Sequence, residues 1–600
     1  MDYECLRVLV NCARGATLKL GLTHLFRKRD QQVNEDSGNR GIYGRYCKSG
    51  SSKWLGNSIS RLAVDNKQGK TKCPSLMELC IYKIRELMDI DKYSSFSMLP
   101  RDISQQIFNE LVYSQCLTEV SLGAFRDCAL QDLDLGEYPG LEDSWMDVIS
   151  SQELSLLSVD LSGSDVTDSG LIHLKNCTNL QAMNFNYSDQ ISDHGLEHIS
   201  GLSNLATLSF RRNNQITAQG LSVLSGLVNL LKLDLERCPG IHGGLVHLKG
   251  LTKLESLNIK CCNCITDADM KPLSGLTNLK ELQISSSKVS DYGVTFLKGL
   301  HKLSLLNMEG CPVTAACLDC LAALPALLYL NLSRCNLSDD GCEKISGLRK
   351  LKVLNLGFND ITDAYLVHLR GLTNLETLNL DSCRIDDEGL VNLTGLQRLR
   401  CLELSDTEVG SNGLRHLAGL TSLVSINLSF TVVTDSGLKK LSGLASLTSL
   451  NLDARQITDA GLASLTSLTG LMHLDLFGAR ITDSGTNYLK NFKNLRSLEI
   501  CGGGLTDAGV KNIKDLSSLT VLNLSQNNNL TDKTLELISG LTQLVSLNVS
   551  NSRITTAGLQ HLRSLKNLKS LNLDSCKVTA YDIEKLQSTD LPNLVSFRPE

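Results

Sequence analysis

Cysteine and histidine are the residue types with the most chemical potential in this 600-residue sequence, which holds 21 Cys and 11 His. Two clusters carry the spacing of metal or redox sites, Cys261-Cys262-Asn263-Cys264 and Cys317-Leu318-Asp319-Cys320. Zinc needs four converging ligands. These clusters instead mix positions of a repeating phrase. Cys238, Cys262, Cys311, Cys335, Cys383 and Cys576 occupy one place in that phrase, and Asn213, Asn359 and Asn527 fill it elsewhere. A place that takes either Cys or Asn reads as a rung of a buried polar ladder serving the turn backbone. His173, His198, His247, His368, His416 and His561 likewise share one place on a repeated helix, directly before its second apolar residue. Outside this grammar there is no Cys/His/Asp constellation, phosphate loop or zinc ligand set. The expectation is a noncatalytic protein with no metal and no cofactor.

The phrase is cleanest at residues 375–398, LETLNLDSCRIDDEGLVNLTGLQR, and recurs in eighteen copies of 24 or 25 residues between Leu161 and Leu573. Leu133-Asp134-Leu135 is a degenerate copy before them, with Trp145 in the slot of a later buried Leu. Leu378 and Leu380 alternate with Thr377, Asn379 and Asp381, which predicts a short strand with two Leu inward and polar residues outward. A Ser or Thr followed by an acid, as in Thr434-Asp435 and Thr482-Asp483, predicts a capped helix start. Leu390 and Leu393 share one helix face, and Gly395 is expected to close the helix in a left-handed conformation.

These residues resemble the leucine-rich repeat, LxxLxLxx(N/C)xL, over about three quarters of the chain. In particular they resemble the cytosolic, ribonuclease-inhibitor-like, cysteine-containing type of plants. The resemblance implies an α/β solenoid, a curved horseshoe with parallel strands inside and helices outside. Strands about 4.8 Å apart opposite helices that need about 8–10 Å also force curvature. Plant extracellular repeats carry Gly-x-Ile-Pro where this chain has Ile-Thr-Asp.

Composition agrees with such an array. Apolar residues make up 42% of the chain and aromatics only 4%, so the core is aliphatic. A net charge of -5 offers no global field for nucleic acid or a membrane surface. No apolar run reaches the roughly 18 residues of a membrane span. Scattered, odd-numbered cysteines suit free thiols, and the expected location is cytoplasmic or nuclear.

A solenoid offers a surface, and its inner row is mostly Asn or Asp: Asn307, Asn331, Asn355, Asn379, Asn427, Asn451 and Asp475. That row reads as simply solvated. Departures from it are the candidate partner-binding rim. Arg211, Arg212, Lys232, Arg237 and Lys260 form a basic cluster suited to an acidic or phosphorylated segment, and Tyr329, Phe358, Phe430 and Phe477 take strand-flanking slots.

Three divisions are expected: a disordered basic tail at 1–72, a small all-α region at 73–130 and the solenoid at 131–600. Residues 27–72 are rich in Lys, Arg, Gly and Ser and poor in acids. Ser75, Leu76, Cys80 and Ile84 resemble the BC box that engages elongin C. Leu99, Pro100, Ile103, Ile107, Phe108 and Leu111 resemble the opening of an F-box, whose helix docks on a Skp-type adaptor, although the later Trp of that family is missing. Leu99, Pro100, Ile103 and Ile107 also fit the cullin-selecting box that follows a BC box. The layout resembles F-box/LRR receptors and implies a substrate receptor of a cullin-RING, SCF-like ubiquitin ligase acting in protein degradation, with a protein substrate on the concave face. The alternative is a general binding scaffold whose helices only seal the first repeat.

Overall fold

The computed structural model describes residues 95–598 apart from 454 and 455, so the basic tail and the 75–84 motif lie outside the described residues. Each repeat supplies a three-residue strand. From β1 (Asp132–Asp134) to β20 (Ser596–Arg598) the strands pair in parallel with their sequence neighbours, forming one 20-stranded sheet. Register stacks like on like: Leu354, Leu378, Leu402 and Ile426 are successive partners. The chain returns through one or two helical turns, α at Asp435–Leu441 and 3₁₀ at Gly389–Leu393. The buried aliphatic residues make one continuous cluster from Phe96 to Leu594. The architecture is a leucine-rich repeat horseshoe.

Three details differ from the sequence reading. The degenerate copy at Leu133 forms a full strand, and residues 596–598 add another beyond the eighteen copies. Trp145 does not take the Leu slot. Met146 does, fully buried, while Trp145 stands where later repeats have Gly. Those glycines face the previous repeat, and the first repeat has no such neighbour to exclude a large side chain. Finally, Gly395 is not left-handed. The positive-φ position instead follows each strand, as at Arg212, Arg237, Phe358 and Phe430 with φ between 56° and 61°. The helix end is tightened by a short turn, Leu396 N–H to Leu393 O at 2.9 Å, which needs no left-handed residue.

The Thr-Asp-x-Gly phrase joins neighbouring repeats. Asp435 Oδ1 accepts from Thr458 N–H at 2.8 Å, and Oδ2 accepts from the Thr458 hydroxyl at 2.6 Å. The same clamp recurs at Asp168–Ser192, Asp459–Thr482 and Asp483–Thr506. Gly461 leaves room for it, since a Cβ there would lie 2.4 Å from Asp435 Oδ1. Thus the acid that suits a helix start in sequence also bonds the next repeat.

The N-terminal edge is sealed by α1 (Arg101–Tyr113) and α2 (Glu119–Gly123). Ile103, Ile107, Phe108 and Leu111 are buried, and Phe125 packs against Phe96 and Phe108 with ring centroids 5.0 and 5.6 Å away. Gln105 meets the open edge of β1. Its Oε1 accepts from Gln131 and Asp132 N–H, and its Nε2 donates to Asp132 O at 2.6 Å. Unpaired edge groups are thereby satisfied.

Candidate protein-binding face

Each strand exposes three slots toward the concave side, and the left-handed residue after it projects at the upper rim. The middle Asn row is structural as well as exposed. Asn379 Oδ1 accepts from Asp381 N–H at 2.8 Å, Asn427 from Ser429 at 3.0 Å and Asn451 from Asp453 at 3.0 Å. The side chain satisfies a backbone donor where the strand ends, which corrects the reading of a merely solvated row.

The cysteine ladder is present. Cys238, Cys262 and Cys311 Sγ donate to the carbonyls of Phe210, Leu235 and Ile284 at 3.2, 3.1 and 3.2 Å. Asn359 and Asn527 make the equivalent bonds at 2.8 Å to Leu332 and Ile500. Burial pushes the Cys262 thiol up to about 12, the opposite of a reactive thiol. Among the described residues no group of His, Cys, Asp or Glu is arranged to hold a metal ion.

A groove of about 940 Å³ runs along the concave face from Lys260 to Glu499. Tyr329 and Phe358 line it, and the Arg334 guanidinium sits 3.7 Å from the centroid of the Phe358 ring. Phe430 occupies the same left-handed position three repeats later and is 57% exposed. Phe477 takes a strand slot beside Asp475 and is half-buried. The aromatic candidates therefore sit on the concave face or its upper rim.

The basic candidates are interleaved with acids. Arg211 lies 2.9 Å from Asp234 and 3.3 Å from Glu236, Arg237 lies 3.9 Å from Glu236, and Arg212 stacks over Tyr187 at 5.3 Å. Lys232 and Lys260 take strand slots nearby. With Asp234 and Glu236 between them, these five cations do not form a uniformly positive patch.

The sequence reading missed the acids of the other half of the groove: Asp381, Glu403 and Glu499, together with Asp475 read as part of a bland row. Asp475 and Glu499 are direct partners on β15 (His473–Asp475) and β16 (Ser497–Glu499). Burial and the neighbouring Glu499 push the Asp475 carboxyl up to about 7, despite the Phe477 N–H it accepts. Burial also raises Glu403, with Asp381 adding to the effect. Departure from Asn in the middle row was the available signal.

Family profiles described as leucine-rich repeats match residues 252–313, 325–385 and 493–554, and a second such profile matches 154–174 and 419–442. These profiles match segments of the same leucine-rich repeat array that the fold shows. Among solved structures, an internalin from Listeria monocytogenes is 26% identical, with 56% of this chain and 88% of that one covered and a TM-score of 0.43. The TLR13–ssRNA13 complex is 21% identical over 78% of this chain and 70% of that one, with a TM-score of 0.46. A plant peptide hormone receptor, RGFR1 in complex with RGF2, is 15% identical over 81% and 92%, with a TM-score of 0.39. No curated protein matches the chain. No helix among the described residues is long and apolar enough to cross a membrane.

Proposed function

We propose that this protein is a noncatalytic binding protein that holds a protein segment in its concave groove. The observation that carries this reading is the aromatic set along the groove and upper rim, half-buried Tyr329 with the exposed Phe358 under Arg334 and exposed Phe430, in a chain with few aromatics. Rigid aromatics and Arg give contact area at low entropic cost, which is why they anchor interfaces. Affinity capture with the intact chain and with a Phe358→Ala/Phe430→Ala variant tests it. Partners held by the wild type should be lost by a variant whose melting is unchanged. Equal retention by both would end the assignment of this rim.

The finer reading is a cytoplasmic or nuclear substrate receptor of a cullin-RING ubiquitin ligase, with residues 73–130 holding a Skp-type adaptor or elongin C. Its support is the motif residues and their place directly before the array. Leu99, Ile103, Ile107, Phe108 and Leu111 are buried in the cap, so an adaptor at α1 would have to meet the exposed Pro100, Gln106, Glu110 and Tyr113. Co-purification with both adaptors, comparing wild type with Leu76→Ala/Cys80→Ala and with Glu110→Ala/Tyr113→Ala, separates the possibilities. Recovery of neither adaptor leaves the general scaffold.

A further inference from the structure

The acidic half of the concave face has a counterpart within the chain. From β11 (Thr377–Asn379) to β16 the strand slots hold Asp381, Glu403, Asp453, Asp475 and Glu499 and no Lys or Arg, with Asp406 above them at a left-handed position. Among the described residues no ion pair joins Asp381, Glu403, Asp406, Asp475 or Glu499. Acids farther toward the N-terminal side of the concave face are matched: Asp234 and Glu236 by Arg211, Glu309 by Arg334. The sector is concave, and its carboxylates are partly buried side by side, so their fields add where water is scarce. Its strand slots hold no Lys or Arg to offset them.

Residues 27–72 contain 11 Lys and Arg against 4 Asp and Glu, in a chain whose net charge is -5. We propose that this basic segment docks on the acidic sector of the concave face of its own chain. Its apolar residues are few, so the contact is chiefly one of charge, with Lys and Arg lying over Asp381, Glu403, Asp475 and Glu499.

Reach permits it. Ten strand spacings of about 4.8 Å place β11 roughly 48 Å along the sheet from β1, and curvature shortens the straight path. The residues from 73 to 94, which lead from the segment to the first described residue, span at most about 75 Å at roughly 3.4 Å each. The segment thus extends over the sector from its nearer edge. A tethered occupant needs little intrinsic affinity, because the linker keeps its effective concentration near the millimolar range. Docking concerns only this chain and stands apart from the assignment of an external partner.

Zero-length carbodiimide cross-linking of the intact protein, read by peptide mass spectrometry, tests the docking. At low salt, Lys48, Lys53, Lys67, Lys70 and Lys72 should link to Asp381, Glu403, Asp406, Asp475 and Glu499. At about 1 M salt, where charges are screened within about 3 Å, these links should disappear. In the variant Asp381→Asn/Glu403→Gln/Asp475→Asn/Glu499→Gln, links to the retained Asp406 should fall at least about fivefold, with melting showing that the fold persists. Links absent at low salt, or spread equally over acids of the convex side, would overturn the proposal. So would hybrid-mass links in a mixture of light and isotope-labelled chains, which would place the segment on a second copy.

Discussion

At the residue scale, this protein separates side chains that maintain a repeat from those left free to recognise something. Asn359 belongs to the first group. Its Nδ2 donates to Leu332 and Leu356 carbonyls, both at 2.8 Å, and its Oδ1 accepts from Leu337 N–H at 3.3 Å. Replacing it with Ala leaves those buried backbone groups unsatisfied, and Asn359→Ala should cost about 1–3 kcal/mol in urea denaturation. Phe358, one residue earlier and 40% exposed, belongs to the second. Phe358→Ala should change stability by no more than about 0.5 kcal/mol, and a larger loss would mark it as packing rather than recognition. The two neighbours differ because the left-handed backbone at Phe358 aims its side chain at the rim, while the next residue turns back beneath the strand.

At the scale of elements, the junctions between repeats are unequal. Most carry the full Asp–Thr clamp; four lack it because Ala218, Gly243, Ala315 and Thr556 stand in the acid place, and three more, in succession, depart from it. Asp386 stands in the Thr place and meets Asp363, Gly410 gives Asp387 a backbone donor only, and Ser411 replaces the acid before Thr434. At the first of these, burial and the facing Asp386 push the Asp363 carboxyl up to about 6, although the Asp386 N–H it accepts works against them. An acid with a raised folded pKa binds its proton more tightly when folded. Its effect on stability therefore turns unfavourable as pH rises from about 4 through 6 and is complete above that. Asp386→Thr should restore the hydroxyl donor, stabilise the protein near pH 7 by about 1 kcal/mol and remove this part of the pH slope. Denaturant titrations at pH 4, 5, 6 and 7 on both proteins check it, and an unchanged slope would mean that the two carboxylates do not interact.

For the molecule as a whole, stability is a sum over neighbouring repeats, so damage at one end stays near that end. Phe108 is fully buried where α1 seals the first strand. Phe108→Ala should cost about 3–5 kcal/mol locally. Hydrogen exchange should accelerate in α1 and the first strands and remain unchanged in the strands after residue 400. Uniform acceleration along the chain would instead show that the array unfolds as one unit.

The array, its strand and helix phases and the place shared by Cys and Asn were legible in the sequence, because each recurs with the repeat and a period of 24 residues exposes it. Three-residue strands, turn rungs and inward Leu pairs are local, and local chemistry determines them. Position 395 was misread because Gly is permitted there without being required to be left-handed. The role of Asp435 was half seen: capping is local, but its partner Thr458 lies one repeat away. Only the tertiary structure decided what depends on neighbours in space. It placed Arg211 between Asp234 and Glu236 and set Asp475 beside Glu499 on adjoining strands. It also turned the apolar face of α1 into the seal of an open sheet edge. Charge and burial act through distance, and distances between repeats are settled by stacking rather than by the repeated phrase.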